Sequence, residues 1–185
     1  MRLRRILAGL VVAIAVLAAP ADSADQTSSS SLDDCGSWPR MHALDFWLGT
    51  WSVSSLGQIV GTNRVEAVLK GCAVMEHWRD VEGGEGQSVF YYDRAADRWK
   101  QLWLTDHAFR RGGTKEKSEL REHTSAERIV FQGQYRDPAS GLTITDRTTL
   151  SRQADATVRQ LIEISTDAGK TWRTTFDALY RSQSH

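Results

Sequence analysis

The chain is short of the residues from which metal centres are built. With only two cysteines in 185 residues, a Cys-rich zinc or iron–sulfur centre is excluded. His42, His77, His107 and His123 show no i,i+4 pair and no H-E-x-x-H, so no metal site is expected from the histidines. No G-x-S-x-G occurs, so there is no nucleophile elbow. Gly169-Lys170-Thr171 imitates the end of a P-loop, but Ile164 stands where the first glycine belongs. Gly83-Gly84-Glu85-Gly86 has no helical pattern behind it and reads as a hairpin loop, not a dinucleotide fingerprint. No repeat of fixed period is visible, which argues against a propeller or solenoid. An excess of one charge is missing too, with 23 basic against 23 acidic residues.

The one long apolar run lies at the start. Arg2, Arg4 and Arg5 precede an apolar stretch from Ile6 to Ala19, and Ala19-Pro20-Ala21 follows with small residues. That is the layout of a secretory signal peptide over 1–21. The run is shorter than the ~20 residues of a spanning helix, and no second one follows; an uncleaved anchor is the alternative. No cysteine closes the run, so a lipoprotein anchor is not expected. Cleavage after Ala21 leaves 164 residues with 20 basic against 23 acidic groups, a net charge of −3. Such a surface offers no basic field for nucleic acid. The expected address is secreted or periplasmic, with no membrane attachment after cleavage. Residues 22–34 (DSADQTSSSSLDD) are almost free of apolar side chains and read as a disordered leader. About 150 residues remain for one domain over 35–183, enough for one sizeable core.

In an exported chain, Cys35 and Cys72 most simply form one disulfide. It would close a loop of 37 residues, for which chain entropy gives at most about 4 kcal/mol. Two unconnected buried thiols are the alternative.

Ser37-Trp38-Pro39 opens a short helical reading, with Ser37 as N-cap and Pro39 in the first turn. Leu44, Trp47 and Leu48 continue at helical spacing until Gly49 stops them. From Thr50 onward the period is two. Strand patterns cover 50–55, 61–69, 72–81, 88–92, 99–104, 128–135, 142–150, 157–165 and 171–181, with a weak one around Phe109. Turn signals separate them, among them Lys70-Gly71, Asp93-Arg94 and Asp137-Pro138. The pattern is all-β: an up-and-down antiparallel barrel of 8–10 strands with a short N-terminal helix, or a sandwich.

Ser165–Trp172 reads STDAGKTW and resembles the Asp-box of sialidase propellers, where the motif recurs blade after blade. A single copy has the mechanical content of a hairpin. Asp167 can accept from the turn backbone, Gly169 supplies a permissive φ, and Trp172 packs at the next strand's start. It predicts a structural turn and no glycosidase activity.

Strand parity selects candidate site residues. One face carries Cys72, Val74, Glu76 and Trp78; another carries Trp99, Gln101 and Trp103; a third carries Val158, Gln160, Ile162 and Ile164. The last strand adds Trp172, Thr174, Phe176, Ala178 and Tyr180 on one face. A packed core would exclude Glu76, Gln101 and Gln160, because each buried polar group needs partners. A cavity wall has this mixture, aromatic with a few polar orienters; an ordinary core around a hydrogen-bonded polar cluster is the other reading. The candidate ligand-binding set is Glu76, Trp78, Trp99, Gln101, Trp103, Gln160, Phe176 and Tyr180. Parity leaves Arg64 undecided. His77 alternates outward, and His107, near a strand end, is the better candidate were a haem present, although no cofactor is expected. An anion site at Arg110-Arg111 is weighed against a solvated hairpin.

Gly49-Thr50-Trp51, at the first strand after a helical turn, resembles the G-x-W signature of lipocalins and wider calycins. There the Trp plugs one barrel end and stacks on a last-strand Arg, for which Arg173 or Arg181 would serve. Taken together, DFWLGTW, GTNRVE, GCAVMEHW, WKQLW and STDAGKTWRTTFDALY occur in that order. They resemble the bacterial family catalogued as domain of unknown function 1579. The resemblance implies a lipocalin-like barrel and export, and brings no activity or catalytic residues with it.

The expected function is therefore a barrel that holds a small apolar or amphipathic molecule. Two alternatives stand beside it. One is a small-molecule isomerase or hydrolase with Glu76 as general base; the other is a filled barrel that acts through its surface on other proteins.

Overall fold

A computed structural model describes residues 35–107 and 113–183. The signal-peptide and leader readings (1–34), the weak strand around Phe109 and the Arg110-Arg111 loop lie outside the described residues. Ten antiparallel strands follow in chain order: β1 (Gly49–Ser55), β2 (Gln58–Val68), β3 (Ala73–Asp80), β4 (Glu85–Asp93), β5 (Arg98–Thr105), β6 (Lys115–Glu119), β7 (Arg128–Arg136), β8 (Thr143–Arg152), β9 (Val158–Ser165) and β10 (Arg173–Ser182). Each pairs with its neighbour in sequence, and β1 pairs with β10, which closes the barrel. Closure removes the edge strands that an open sheet would present.

β6 is the strand that a hydrophobic pattern does not reveal. Its sequence is KEKSE, and Lys117 and Glu119 are its buried residues. Period two is present there, but it is written in charge, and the charges are tolerated inside because each has a partner.

The N-terminal helix is a series of 3-10 turns, Cys35–Ser37, Pro39–His42 and Asp45–Trp47. Trp38, not Ser37, takes the N-cap place before Pro39, with no side-chain capping bond. Leu48 is already extended. These turns close one end of the barrel. Met41, Leu44 and Trp47 descend from them onto Val53, Val65, Val74, Phe90, Phe131 and Leu150. Trp47 meets the rings of Phe90 and Tyr180 edge-on, at centroid distances of 5.6 and 6.1 Å. Burial of each large side chain here stabilises the fold by about 1.5–3 kcal/mol.

Three further contacts hold the turns in place. Cys35 and Cys72 form the disulfide, tying the first turn to the β2–β3 connection. Arg40 pairs with the buried Glu119 of β6, whose carboxylate also accepts the backbone N–H of Trp99 at 3.0 Å. The Trp99 indole donates to the Arg40 carbonyl at 2.8 Å. The Trp51 of G-x-W sits in this end and donates to the Trp47 carbonyl at 2.9 Å. It has no last-strand arginine over it. Arg181 lies opposite Ser52, one residue off the Trp51 face, with its guanidinium 3.8 Å from Asp155. Arg173 sits at the other end of the barrel.

STDAGKTW is the β9–β10 hairpin. Asp167 accepts the Thr171 N–H at 2.9 Å and its hydroxyl at 2.6 Å, and the Ser165 hydroxyl donates to it at 2.7 Å. Those bonds, the Thr171 hydroxyl foremost, hold the Asp167 carboxyl down to about 2. The box is a turn, as its single copy implied.

Candidate functional site

The end of the barrel opposite the turns is open. It leads into a cavity of about 630 Å³, within the range of small-molecule sites. A filled barrel would lack it. The apolar wall comes from Trp78 on β3, Trp103 on β5, Ile144 on β8, Ile162 and Ile164 on β9, and Phe176 on β10. Trp78 meets Phe176 edge-on at 6.1 Å.

Two glycines make room for the two indoles. A Cβ on Gly61 would lie 2.5 Å from the Trp78 ring, and one on Gly86 would lie 2.1 Å from the Trp103 ring. The outer edge of each tryptophan ring thus takes the space over a neighbouring strand's backbone that a side chain would fill.

Deeper in, polar groups replace apolar ones. Glu76 is buried, and its carboxylate accepts from Asn63 at 2.8 Å and from the Ser88 hydroxyl at 2.6 Å. Ser88 in turn accepts from Gln101 at 3.1 Å. The single hydroxyl proton of Ser88 is committed to Glu76, so only the N–H2 side of Gln101 can face it. Burial pushes the Glu76 pKa up, against the lowering effect of Ser88, Asn63 and the Lys117 charge. Tyr180 donates to Gln160 across the same floor. Burial, then the nearby Glu76 charge, pushes the phenol well above its ordinary value.

A second polar cluster stands beside it, from β6 and β8. Lys115 and Lys117 both donate to the carboxylate of Asp146, Lys115 at 2.8 Å, and Lys117 also donates to Thr148 at 2.6 Å. Burial would raise Asp146, but the Lys117 and Lys115 charges hold it below the usual carboxylate range. Burial lowers Lys117 in spite of Asp146. Both lysines line the cavity, and Arg173 joins them there.

Of the eight residues marked out by parity, seven line this cavity: Glu76, Trp78, Gln101, Trp103, Gln160, Phe176 and Tyr180. Trp99 does not. It is fully buried in the closed end, beneath Arg40 and against Tyr92. The last-strand face is corrected in its first half. The β9–β10 register shifts between Thr174 and Phe176, so Trp172 and Thr174 leave the inner face and Arg173 enters it. Trp172 packs outside, with the Arg147 guanidinium 3.8 Å over its ring.

The sequence reading passed over Lys115, Lys117, Asp146 and Thr148. Nothing apolar marks β6, and a Lys-x-Lys run reads as solvated until the strand opposite it is known. Arg64 points outward, where it pairs with Glu66. His77 also faces out, 3.1 Å from Glu66. His107 lies exposed beside Asp106, away from the cavity wall. No group of three or more His, Cys, Asp or Glu among the described residues is placed to hold a metal ion. A smaller hollow of about 400 Å³ lies on the outer face of β7–β9. Two of its guanidiniums, Arg147 and Arg159, already pair with Glu163 and Asp177, so the inner cavity is the candidate site.

No protein-family model matches the chain, and no curated protein matches it either.

Proposed function

We propose that this protein is an exported, lipocalin-like barrel that holds a small amphipathic molecule in its open half. The observation that carries the reading is the cavity of about 630 Å³, with indole and isoleucine walls and a hydrogen-bonded polar floor. A guest buried there would place apolar surface against Trp78, Trp103 and Phe176 and a polar head near the floor. The Cys35–Cys72 disulfide is compatible with an oxidising compartment outside the cytoplasm. No helix among the described residues is long and apolar enough to cross a membrane. Resemblance to the domain of unknown function 1579 family supports the same assignment.

Native mass spectrometry of the protein from its own export compartment, beside a denatured sample, tests the proposal. An extra mass lost on denaturation supports it and gives the class of guest. A bare polypeptide mass, with no uptake of any amphiphile added afterwards, refutes it.

One observation favours an enzyme as the second reading. Glu76 is a buried carboxyl on a cavity floor, and burial raises its pKa, the direction in which general-base carboxyls are tuned. Turnover that disappears in Glu76→Gln, with binding retained, would establish it.

A further inference from the structure

The two lysines of β6 share one counter-ion. Lys115 and Lys117 grip the two oxygens of the same Asp146 carboxylate. Their ammonium groups therefore lie within about 7 Å of each other, by the dimensions of a carboxylate and two charge-assisted bonds. An ammonium has three hydrogens. Asp146 and Thr148 take two from Lys117; Asp146 takes one from Lys115, which also lies 4.9 Å over the Tyr135 ring. Among the described residues, at least one hydrogen on each lysine has no acceptor, and both side chains line the cavity.

The charge around them points the same way. Two cations stand against one anion in a wall where Lys117 and Asp146 are almost wholly buried. Glu76 is the next carboxyl, and its two oxygens are taken by Asn63 and Ser88 rather than by either lysine. Arg173 and Asp137 add one charge of each sign to the lining and cancel. A buried positive charge without its full complement of acceptors is costly.

We infer that the guest is an amphipathic acid whose carboxylate bridges Lys115 and Lys117, with its apolar body along Trp78, Trp103, Phe176 and Ile162. The inference rests on the ligand-holding reading and adds the chemistry of the head group. The carboxylate supplies a charged acceptor for the free hydrogen of each ammonium. A neutral head would supply only uncharged, weaker acceptors, and a cationic head would supply none.

Three probes with the same ten-carbon body separate these cases: decanoate, 1-decanol and decylamine. Binding to the purified protein is read at pH 7 from the fluorescence of the tryptophans, two of which form the wall. Decanoate is expected to bind about tenfold tighter than decanol, about 1.4 kcal/mol, since its head makes charge-assisted bonds that a hydroxyl cannot. Decylamine is expected to bind weakest. In Lys115→Met the decanoate-to-decanol preference should collapse towards one. In Asp146→Asn, which removes the competing carboxylate, it should rise; near-ultraviolet circular dichroism checks that each variant is folded. Decanol or decylamine binding as tightly as decanoate overturns the head-group assignment and leaves the ligand-holding reading standing. So does a decanoate preference that neither variant alters. Failure of all three probes to bind removes the ligand-holding reading itself, and the inference with it.

Discussion

The two ends of this barrel are built from the same alternating strands and have opposite interiors. At the closed end Trp47, Trp99, Phe90 and Phe131 are fully buried and touch one another or the turns above them. At the open end Trp78 and Trp103 line the wall instead of filling the centre, over Gly61 and Gly86. The difference does not come from the number of aromatic residues. It comes from what covers the end, and from which residue lies beneath each indole. A chain segment bearing Met41, Leu44 and Trp47 fills one half. Two glycines draw the indoles aside and keep the other half empty. The buried polar groups Glu76, Gln101 and Gln160 mark the boundary between them.

The largest effects should come from the closed half. Trp47→Ala is expected to lose about 3–5 kcal/mol, the range for deleting a large buried aromatic. Trp103→Ala should lose less than about half of that, because one side of its ring faces space. Urea unfolding of both variants measures the contrast; equal losses would mean that the open half is packed like a core.

Removal of the disulfide is the next test. Cys35→Ser with Cys72→Ser frees the first turn, and the 37-residue separation sets a loss of at most about 4 kcal/mol. The loss should appear as a lower melting temperature, with faster hydrogen exchange in the turns and around Trp99 and Glu119, which contact them, than at the cavity wall. Uniform loss of protection would show that the turns are not a separate closure.

Gly86→Ala bears on the open half. A new methyl would lie 2.1 Å from the Trp103 ring, so the indole must swing into the cavity. Overpacking of this kind costs about 1–3 kcal/mol, and the occupied cavity volume should show as loss of amphiphile binding and a shifted tryptophan emission. Retained binding at full affinity would mean that the indole moves elsewhere.

The smallest effect concerns the boundary. Burial raises Glu76 in the folded chain above the ordinary value near ~4.3. The folded state therefore holds this proton more tightly than the unfolded one. Its contribution is intact below about pH 4 and is lost as pH rises through the raised value. Glu76→Gln mimics the neutral acid and does not titrate. Its melting temperature relative to the natural chain should rise as pH climbs from about 4 to about 8. A pH-independent difference would show that Ser88, Asn63 and Lys117 compensate the burial in full.

Much of the architecture was legible because a half-buried strand writes its burial into period two. The inner faces carrying Val74–Glu76–Trp78, Trp99–Gln101–Trp103 and Val158–Gln160–Ile162 were readable for that reason, as were the disulfide partners and the hairpin of STDAGKTW. β6 was not, since its inner face is Lys115, Lys117 and Glu119. Nor was the register shift near Thr175, which moves Arg173 inward and Trp172 outward. One irregular residue reverses a face without changing composition.

By itself, then, the sequence determined that this is an antiparallel all-β chain with a mixed aromatic and polar interior, because alternation is a local property of each strand. Only the tertiary structure decided which half of that interior is filled. It also decided that Trp99 belongs to the closed end, and that Lys115 and Lys117 meet Asp146 inside the barrel. Those outcomes depend on strands distant in sequence closing into a ring and on the turns covering one of its ends. No local pattern encodes either.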